Sequence, residues 1–269
     1  MTIHRVPTAL SIAGSDSGGG AGIQADLKAF AHCGVHGTTA ITAITSQNTV
    51  GVEAVAAVEP AMIVAQVRAV AADIGVDAVK IGMLGTAATV DAVVEALGLL
   101  GGAPVVIDPV MVAESGATLL DDEARRALVE RLLPLSAVTT PNLPEARELT
   151  GAGEGASASQ EELARGVRAL GPRAVVVTGG HSEGLVDLFY DGERLVEIPG
   201  ERHPDGAAHG SGCTHSSALA AFLARGAEPL EAARRAREVA SAAVGAGLRG
   251  IGSGPGPVDV LDLVSRFAP

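Results

Sequence analysis

Cysteine is scarce in this chain of 269 residues. Only Cys33 and Cys213 are present, far apart and in different settings, so neither a disulfide framework nor a cysteine-based zinc site can be built. A reducing compartment, the cytoplasm, is expected. Long apolar runs are missing too: although 47% of the residues are hydrophobic, no stretch approaches the roughly 18 to 20 uninterrupted apolar residues of a membrane helix. The apolar run behind His4 and Arg5 is interrupted by Pro7 and continues into a predicted core strand, so no secretory signal is expected. Basic residues are in deficit. With 19 Lys and Arg against 31 Asp and Glu, the net charge of -12 repels nucleic-acid phosphates and anionic membranes over most of the surface. The one dense basic cluster, Arg234, Arg235 and Arg237, is interleaved with Glu231 and Glu238 and reads as a solvated helix face. No linker, charge block or fixed-period repeat divides the chain, which predicts a single domain over residues 1–269.

What is present is an alternation of short β-rich runs and helical stripes. Strands are predicted at Thr8 to Ala13, Thr38 to Ile44, Ala78 to Ile81, Pro104 to Ile107, Ala137 to Thr139 and Ala174 to Val177. Helices are predicted around Ile23 to Ala31, behind Pro60, over Thr86 to Leu100 and Asp121 to Leu133, after the Ser159/Glu162 capping box, and from Pro229 to about Ala246. A hairpin is predicted from Leu185 to Ile198 around the turn pair Asp191-Gly192. Strands separated by helices imply right-handed crossovers and an α/β fold with a mainly parallel, doubly covered sheet. Ligands then bind beyond the carboxyl ends of the strands, so the residues following each strand carry the chemistry.

The most informative of these is Ala208-His209-Gly210-Ser211-Gly212-Cys213-Thr214, which leads into the apolar stretch Ser216 to Ala224. Small residues at a helix start aim backbone N–H groups and the positive dipole end at one point, a natural site for a phosphoryl group. The same field is expected to lower the pKa of Cys213 and make it a proton acceptor. A plain glycine turn before a core helix would give the same string. Gly14 to Gly22, rich in glycine, precedes Asp26 but has neither the Walker A lysine nor the dinucleotide spacing. Gln47 offers a donor and an acceptor side by side, matching an aminopyrimidine edge, or else satisfies a local turn. Met83 reads as a soft wall for a flat ring or as core filler. Asp108 and Glu145, at neighbouring strand ends, suit Mg²⁺ held through water with substrate phosphates, or serve as caps. Thr178-Gly179-Gly180-His181 lines a nucleotide or forms a turn.

Taken together, six segments resemble the ribokinase-like superfamily, and within it the hydroxymethylpyrimidine/phosphomethylpyrimidine kinases of thiamine biosynthesis. They are Ile12 to Lys28, Gln47-Asn48-Thr49, Lys80 to Leu84, Asp108 to Met111, Thr140 to Glu145 and His209 to Thr214. The resemblance implies a three-layer α/β/α sandwich, ATP and Mg²⁺ as cofactors, and a homodimer. It implies that Gln47 reads the pyrimidine edge, with Gly14, Ala21, Asp26, Met83 and Val110 around the substrate. It places Asn142, Thr178, Gly180 and His209 near nucleotide and phosphate, Asp108 and Glu145 on the metal, and Gly210, Ser211, Gly212 and Cys213 at the transferring group. The expected reaction is phosphorylation of 4-amino-5-hydroxymethyl-2-methylpyrimidine and then of its monophosphate. Cys213 stands where the wider superfamily has Asp, as in the pyrimidine kinase branch. Thr178 and Glu114-Ser115-Gly116-Ala117 depart from the lysine and aspartate common in relatives. A pyridoxal/pyridoxine kinase and a pyrimidine-binding protein without turnover remain as alternatives.

Overall fold

The computed structural model describes residues 5–112, 116, 119–153, 158–179, 185–204 and 206–266. In chain order its elements are β1 (Thr8–Ala13), α1 (Gly22–His32), β2 (His36–Ile41), β3 (Ala43–Gln47), β4 (Val52–Ala57), α2 (Pro60–Asp73), β5 (Ala78–Ile81), α3 (Ala87–Leu97) and β6 (Val105–Ile107). There follow α4 (Asp122–Ala127), continued by a π turn and a 3-10 turn to Leu135, then β7 (Val138–Thr139), α5 (Leu143–Thr150), α6 (Gln160–Ala169) and β8 (Ala174–Val177). The chain ends with β9 (Asp187–Tyr190), β10 (Leu195–Ile198), α7 (Ser211–Ala224), α8 (Pro229–Gly245) and α9 (Leu263–Arg266).

Eight strands form one sheet in the order β10-β9-β8-β7-β6-β5-β1-β2, parallel except where β9 runs against its neighbours. Alternate residues along each central strand go to opposite layers, as the period of two requires. Leu10, Ile12, Val79 and Ile81 pack with Ile63 of α2, Val90 of α3 and Leu163 of α6. Ala9, Ala78, Val106 and Val176 pack instead with Phe30 of α1 and the alanine-rich α7 and α8. Each fully buried Leu, Ile or Phe stabilises this arrangement by about 1.5 to 3 kcal/mol. The result is the expected three-layer α/β/α sandwich. The chain leaves β1 for β2 on one side and reaches β5 on the other, so the sheet has its switch point between β1 and β5, the place where sheets of this kind form a ligand-binding crevice.

Three expectations are corrected. The run Thr38 to Ile44 is two strands: at Thr42 the amide bonds Ala13 O at 3.0 Å and the hydroxyl donates to Met83 O at 2.8 Å, turning the chain out of the main sheet. β3 then pairs antiparallel with β4, a strand whose exposed side chains carry no two-residue alternation of burial. The hairpin turn has four residues, Asp191 to Arg194, because the Asp191 carboxylate accepts from the Glu193 and Arg194 amides at 3.0 and 2.7 Å. The helix predicted to Leu133 widens at Leu128 and tightens again around Pro134, whose ring cannot continue an α-helix.

Candidate active site

α7 starts at Ser211, one residue before Gly212, where the run of small residues predicts the helix start, because Gly210 adopts φ 82° and ψ 9° as its N-cap. This left-handed conformation and the Gly20 carbonyl oxygen, pressed against the Gly210 Cα, leave no room for a side chain. Residues Thr214 to Leu223 are all buried, so the helix is held on every side. No side chain caps it, and its first-turn amides lie beside Asp108: a Cβ on Gly212 would sit 4.0 Å from Asp108 Oδ2.

The loop after β1 closes against this helix start. Asp16, 2% exposed, accepts from the amides of Gly18 at 2.8 Å, Gly20 at 3.0 Å and Ala21 at 2.8 Å. Its Oδ2 also lies 3.3 Å from His209 Nε2. Burial pushes the Asp16 carboxyl up, but the bonds from His209, Ala21 and Gly18 outweigh it and hold the group below its ordinary value. The expectation for His209 changes accordingly: its ring packs over Gly20 and joins two loops through Asp16.

Asp26 is corrected more sharply. It has no exposed surface, and its carboxylate takes hydrogen bonds from Lys80 Nζ at 2.8 Å, Ser217 Oγ at 2.7 Å and Ser11 Oγ at 2.5 Å. It lies beneath the crevice, not on its wall. Lys80, to which the sequence reading assigned no role, was legible as the one charge in the otherwise apolar buried strand Ala78-Val79-Lys80-Ile81, where a charge requires a partner. Burial alone would push Lys80 down, but Asp26, with Cys213 and Asp108, raises it above its ordinary value and keeps it protonated.

Asp108, 6% exposed, accepts from Ser216 Oγ at 3.0 Å. Burial raises its pKa against the opposing effects of Lys80 and Ser216. Glu145 is pushed up to about 8, first by burial and then by the charge of Asp108, despite bonds from the Asn142 and Met111 amides. A carboxyl raised by burial and by the charge of a second buried carboxyl fits a cation that relieves both. Among the described residues no group of three or more His, Cys, Asp or Glu forms a complete metal cage. The pair therefore suits an ion that keeps most of its water and phosphate ligands, the habit of Mg²⁺.

The raised Glu145 pKa has a consequence for stability. Its folded value of about 8 exceeds the ordinary 4.5, so its contribution is fully present below pH 4.5 and is lost as pH rises through 8. In EDTA, Glu145→Gln is expected to raise stability at pH 8.5 by on the order of 1 to 2 kcal/mol, discounted for solvent reaching the half-buried side chain. That corresponds to roughly 3 to 6 °C in melting temperature, with no gain at pH 4.5. A melting temperature unchanged at both pH values contradicts the repulsion.

Cys213 keeps some exposed surface, yet burial around its sulfur pushes the thiol up to about 12. Lys80 and the Gly22 amide pull it down, while Asp26 and Asp108 push it further up. The expectation of a lowered pKa is therefore overturned: lost hydration and two carboxylates outweigh the helix end. The free protein carries a neutral thiol at pH 7.

On the other side of the crevice the Met83 methyl lies over Gly14, where any Cβ would collide with it. Gln47 does not follow a strand but ends β3, at an irregularity of register between Ser46 and Gln47. Its backbone amide and carbonyl both bond Ser17 Oγ, at 2.8 and 2.6 Å, which fixes the backbone, while the oxygen of the half-buried carboxamide lies 3.5 Å from Thr45 Oγ1. Ala21, the N-cap of α1, also lies against Gly210. The Val110 amide bonds the Asp108 carbonyl at 2.8 Å, which brings Val110 to the same strand end. Asn142 and Glu145 form a reciprocal capping box at the start of α5, and Asn142 bridges to Thr178. Gly180 and His181, like Glu114, Ser115 and Ala117, lie outside the described residues.

Residues 16–259 match the model of a family described as phosphomethylpyrimidine kinase. The chain is 50% identical over 256 residues to a hydroxymethylpyrimidine/phosphomethylpyrimidine kinase of Rhizobium meliloti, covering 93% of this chain and 95% of that one. Among solved structures, a pyridoxal kinase of Bacillus subtilis in an ADP complex superposes with a TM-score of 0.87 at 38% identity, covering 98% of this chain and 100% of that one. A phosphomethylpyrimidine kinase of Clostridium difficile superposes with a TM-score of 0.75 at 40% identity, covering 86% and 96%.

Proposed function

This chain belongs to the phosphomethylpyrimidine kinase family, and from that membership we infer that it is an ATP-dependent kinase of thiamine biosynthesis. Its substrates are 4-amino-5-hydroxymethyl-2-methylpyrimidine and then the monophosphate of that alcohol. The observation that carries the reading is the identity of one residue in two, over nearly the whole of both chains, with a hydroxymethylpyrimidine/phosphomethylpyrimidine kinase. We take residues 1–269 as one ribokinase-like domain that works in the cytoplasm as a homodimer.

In this reading Gln47 pairs with the ring edge, and Gly14, Ala21, Met83 and Val110 enclose its faces. The substrate hydroxyl then points toward α7. The amides at Gly210, Ser211, Gly212 and Cys213 hold the oxygens of the γ-phosphoryl group in line with it, where donors fixed in advance act on developing charge. Asn142 and Thr178 border the nucleotide, and His209 keeps the glycine loop closed over the phosphates. Mg²⁺, held through water by Asp108 and Glu145, would supply charge neutralisation for the β- and γ-phosphates. Transfer needs little covalent help from the protein, so positioning dominates. The Cys213 sulfur accepts the hydroxyl proton only in the minor fraction of protein in which it is already thiolate.

The test is formation of the mono- and diphosphate by purified protein with Mg-ATP; absence of product from both pyrimidines overturns the proposal. Because the thiol is neutral in the free protein, kcat/KM is expected to rise with pH through the alkaline range. Cys213→Ala is expected to lower kcat by about 10²-fold, change KM little and flatten that rise; unchanged turnover removes Cys213 from the mechanism. A second reading, pyridoxal kinase, is favoured by the TM-score of 0.87 with the Bacillus subtilis protein. Competition between pyridoxal and the pyrimidine alcohol in one assay separates the two.

A further inference from the structure

Between the sheet and helices α1 and α7 lies a set of buried polar side chains that the chemistry above does not use. Lys80 and Asp26, both without exposed side-chain surface, form an ion pair at 2.8 Å. The Asp26 carboxylate also accepts from Ser217 and Ser11, so this one group ties together β1, α1, β5 and α7. The residue before Ser217 on α7, Ser216, donates to Asp108 at 3.0 Å. Two consecutive serines thus reach two carboxylates, one beneath the crevice and one at its wall.

Stability does not account for this arrangement. Well-packed apolar residues of similar volume usually serve a core as well as a buried ion pair or better. Location does account for it, because the elements joined are those that carry the ligand-facing groups. β1 ends at Gly14, α1 starts at Gly22 against the Cys213 sulfur, and α7 starts with the amides beside Asp108. The positive end of the pair acts on Asp108 and Cys213 more strongly than the negative end does.

We propose that Lys80, Asp26 and Ser217 form a positioning unit for phosphoryl transfer, which sets the rotation and depth of α7 against α1 and β5 and so aligns its first-turn amides with Asp108. None of the three touches substrate. The inference rests on the kinase reading, and the experiment keeps the two apart, since an inactive parent protein defeats the kinase reading itself.

With an active parent, the charge-neutral double variant Lys80→Met/Asp26→Asn leaves no unpaired buried ion and is expected to keep its circular dichroism and melt within a few degrees of the parent. Its kcat is expected to fall at least tenfold, with KM for ATP and for the pyrimidine within twofold. A folded double variant with parental kcat overturns the proposal, and so does a loss of kcat matched by a parallel rise in both KM values, which marks general loosening. Should the double variant not fold, Ser217→Ala decides: it leaves the ion pair intact, and the expected result is a threefold to tenfold lower kcat at unchanged KM. Parental kcat in Ser217→Ala overturns the unit as well.

Discussion

Gly210→Ala is expected to lower kcat by about 10²-fold or more while the protein stays folded. A methyl group there meets strain and a collision. Gly210 holds φ 82°, a region that costs an L side chain about 1 to 2 kcal/mol, and the new Cβ would run into the Gly20 carbonyl oxygen. The backbone relieves the collision by parting the 208–213 loop from the Asp16 loop, and the first-turn amides of α7 move with it. Loss of one donor at a developing oxyanion costs about 10² to 10³ in kcat, and here several shift together. The body of α7, buried from Thr214 to Leu223, keeps the fold. Steady-state kinetics and thermal melting of the variant check this. Parental kcat in a variant that is destabilised would mean that the amides take no part in transfer.

The second large effect is expected at Asp108. Asp108→Asn keeps the size of the side chain and an oxygen that can accept from Ser216 Oγ, but it removes the charge. Turnover with Mg-ATP is expected to fall about 10²- to 10³-fold, the scale of a lost electrostatic contact to the transferring group, and to recover in part as Mg²⁺ is raised. Stability moves the other way. The Asp108 charge raises Glu145, so in EDTA at pH 8 the variant is expected to melt no lower than the parent. The alkaline shift of Glu145 is expected to shrink with it. An Asp108→Asn protein that melts far below the parent and is inactive at every Mg²⁺ concentration contradicts the assignment, because the residue would then be holding the fold.

These two residues show how much of the candidate site was legible in the chain. Gly210 stood out because small residues before an apolar stretch have few other uses, and the structure differs only in starting α7 one residue earlier. Asp108 was found by its place after a predicted strand. The reading failed where the deciding partner is remote in sequence. Asp26 follows a glycine loop and looks ligand-facing, but Lys80 lies 54 residues away and Ser217 lies 191 away, and together they draw it into the core. His209 was read by its neighbours in the phosphate loop, whereas Asp16, 193 residues distant, sets its orientation. The helix end alone predicts a lowered Cys213 thiol, whereas burial first, and then the carboxylates of Asp26 and Asp108, raise it.

Local pattern by itself determined the strands β1, β5 and β8, the small-residue start of α7, and the layered architecture. Periodicity, turn chemistry and backbone dipoles act within a few residues and leave their mark in the string. Which carboxylate lines the crevice and which lies beneath it, which side of neutral pH the thiol titrates on, and where the chain leaves the main sheet at Thr42 were decided only by tertiary structure. Burial and charge act through space, and the groups that set them come from strands and helices far apart along the chain.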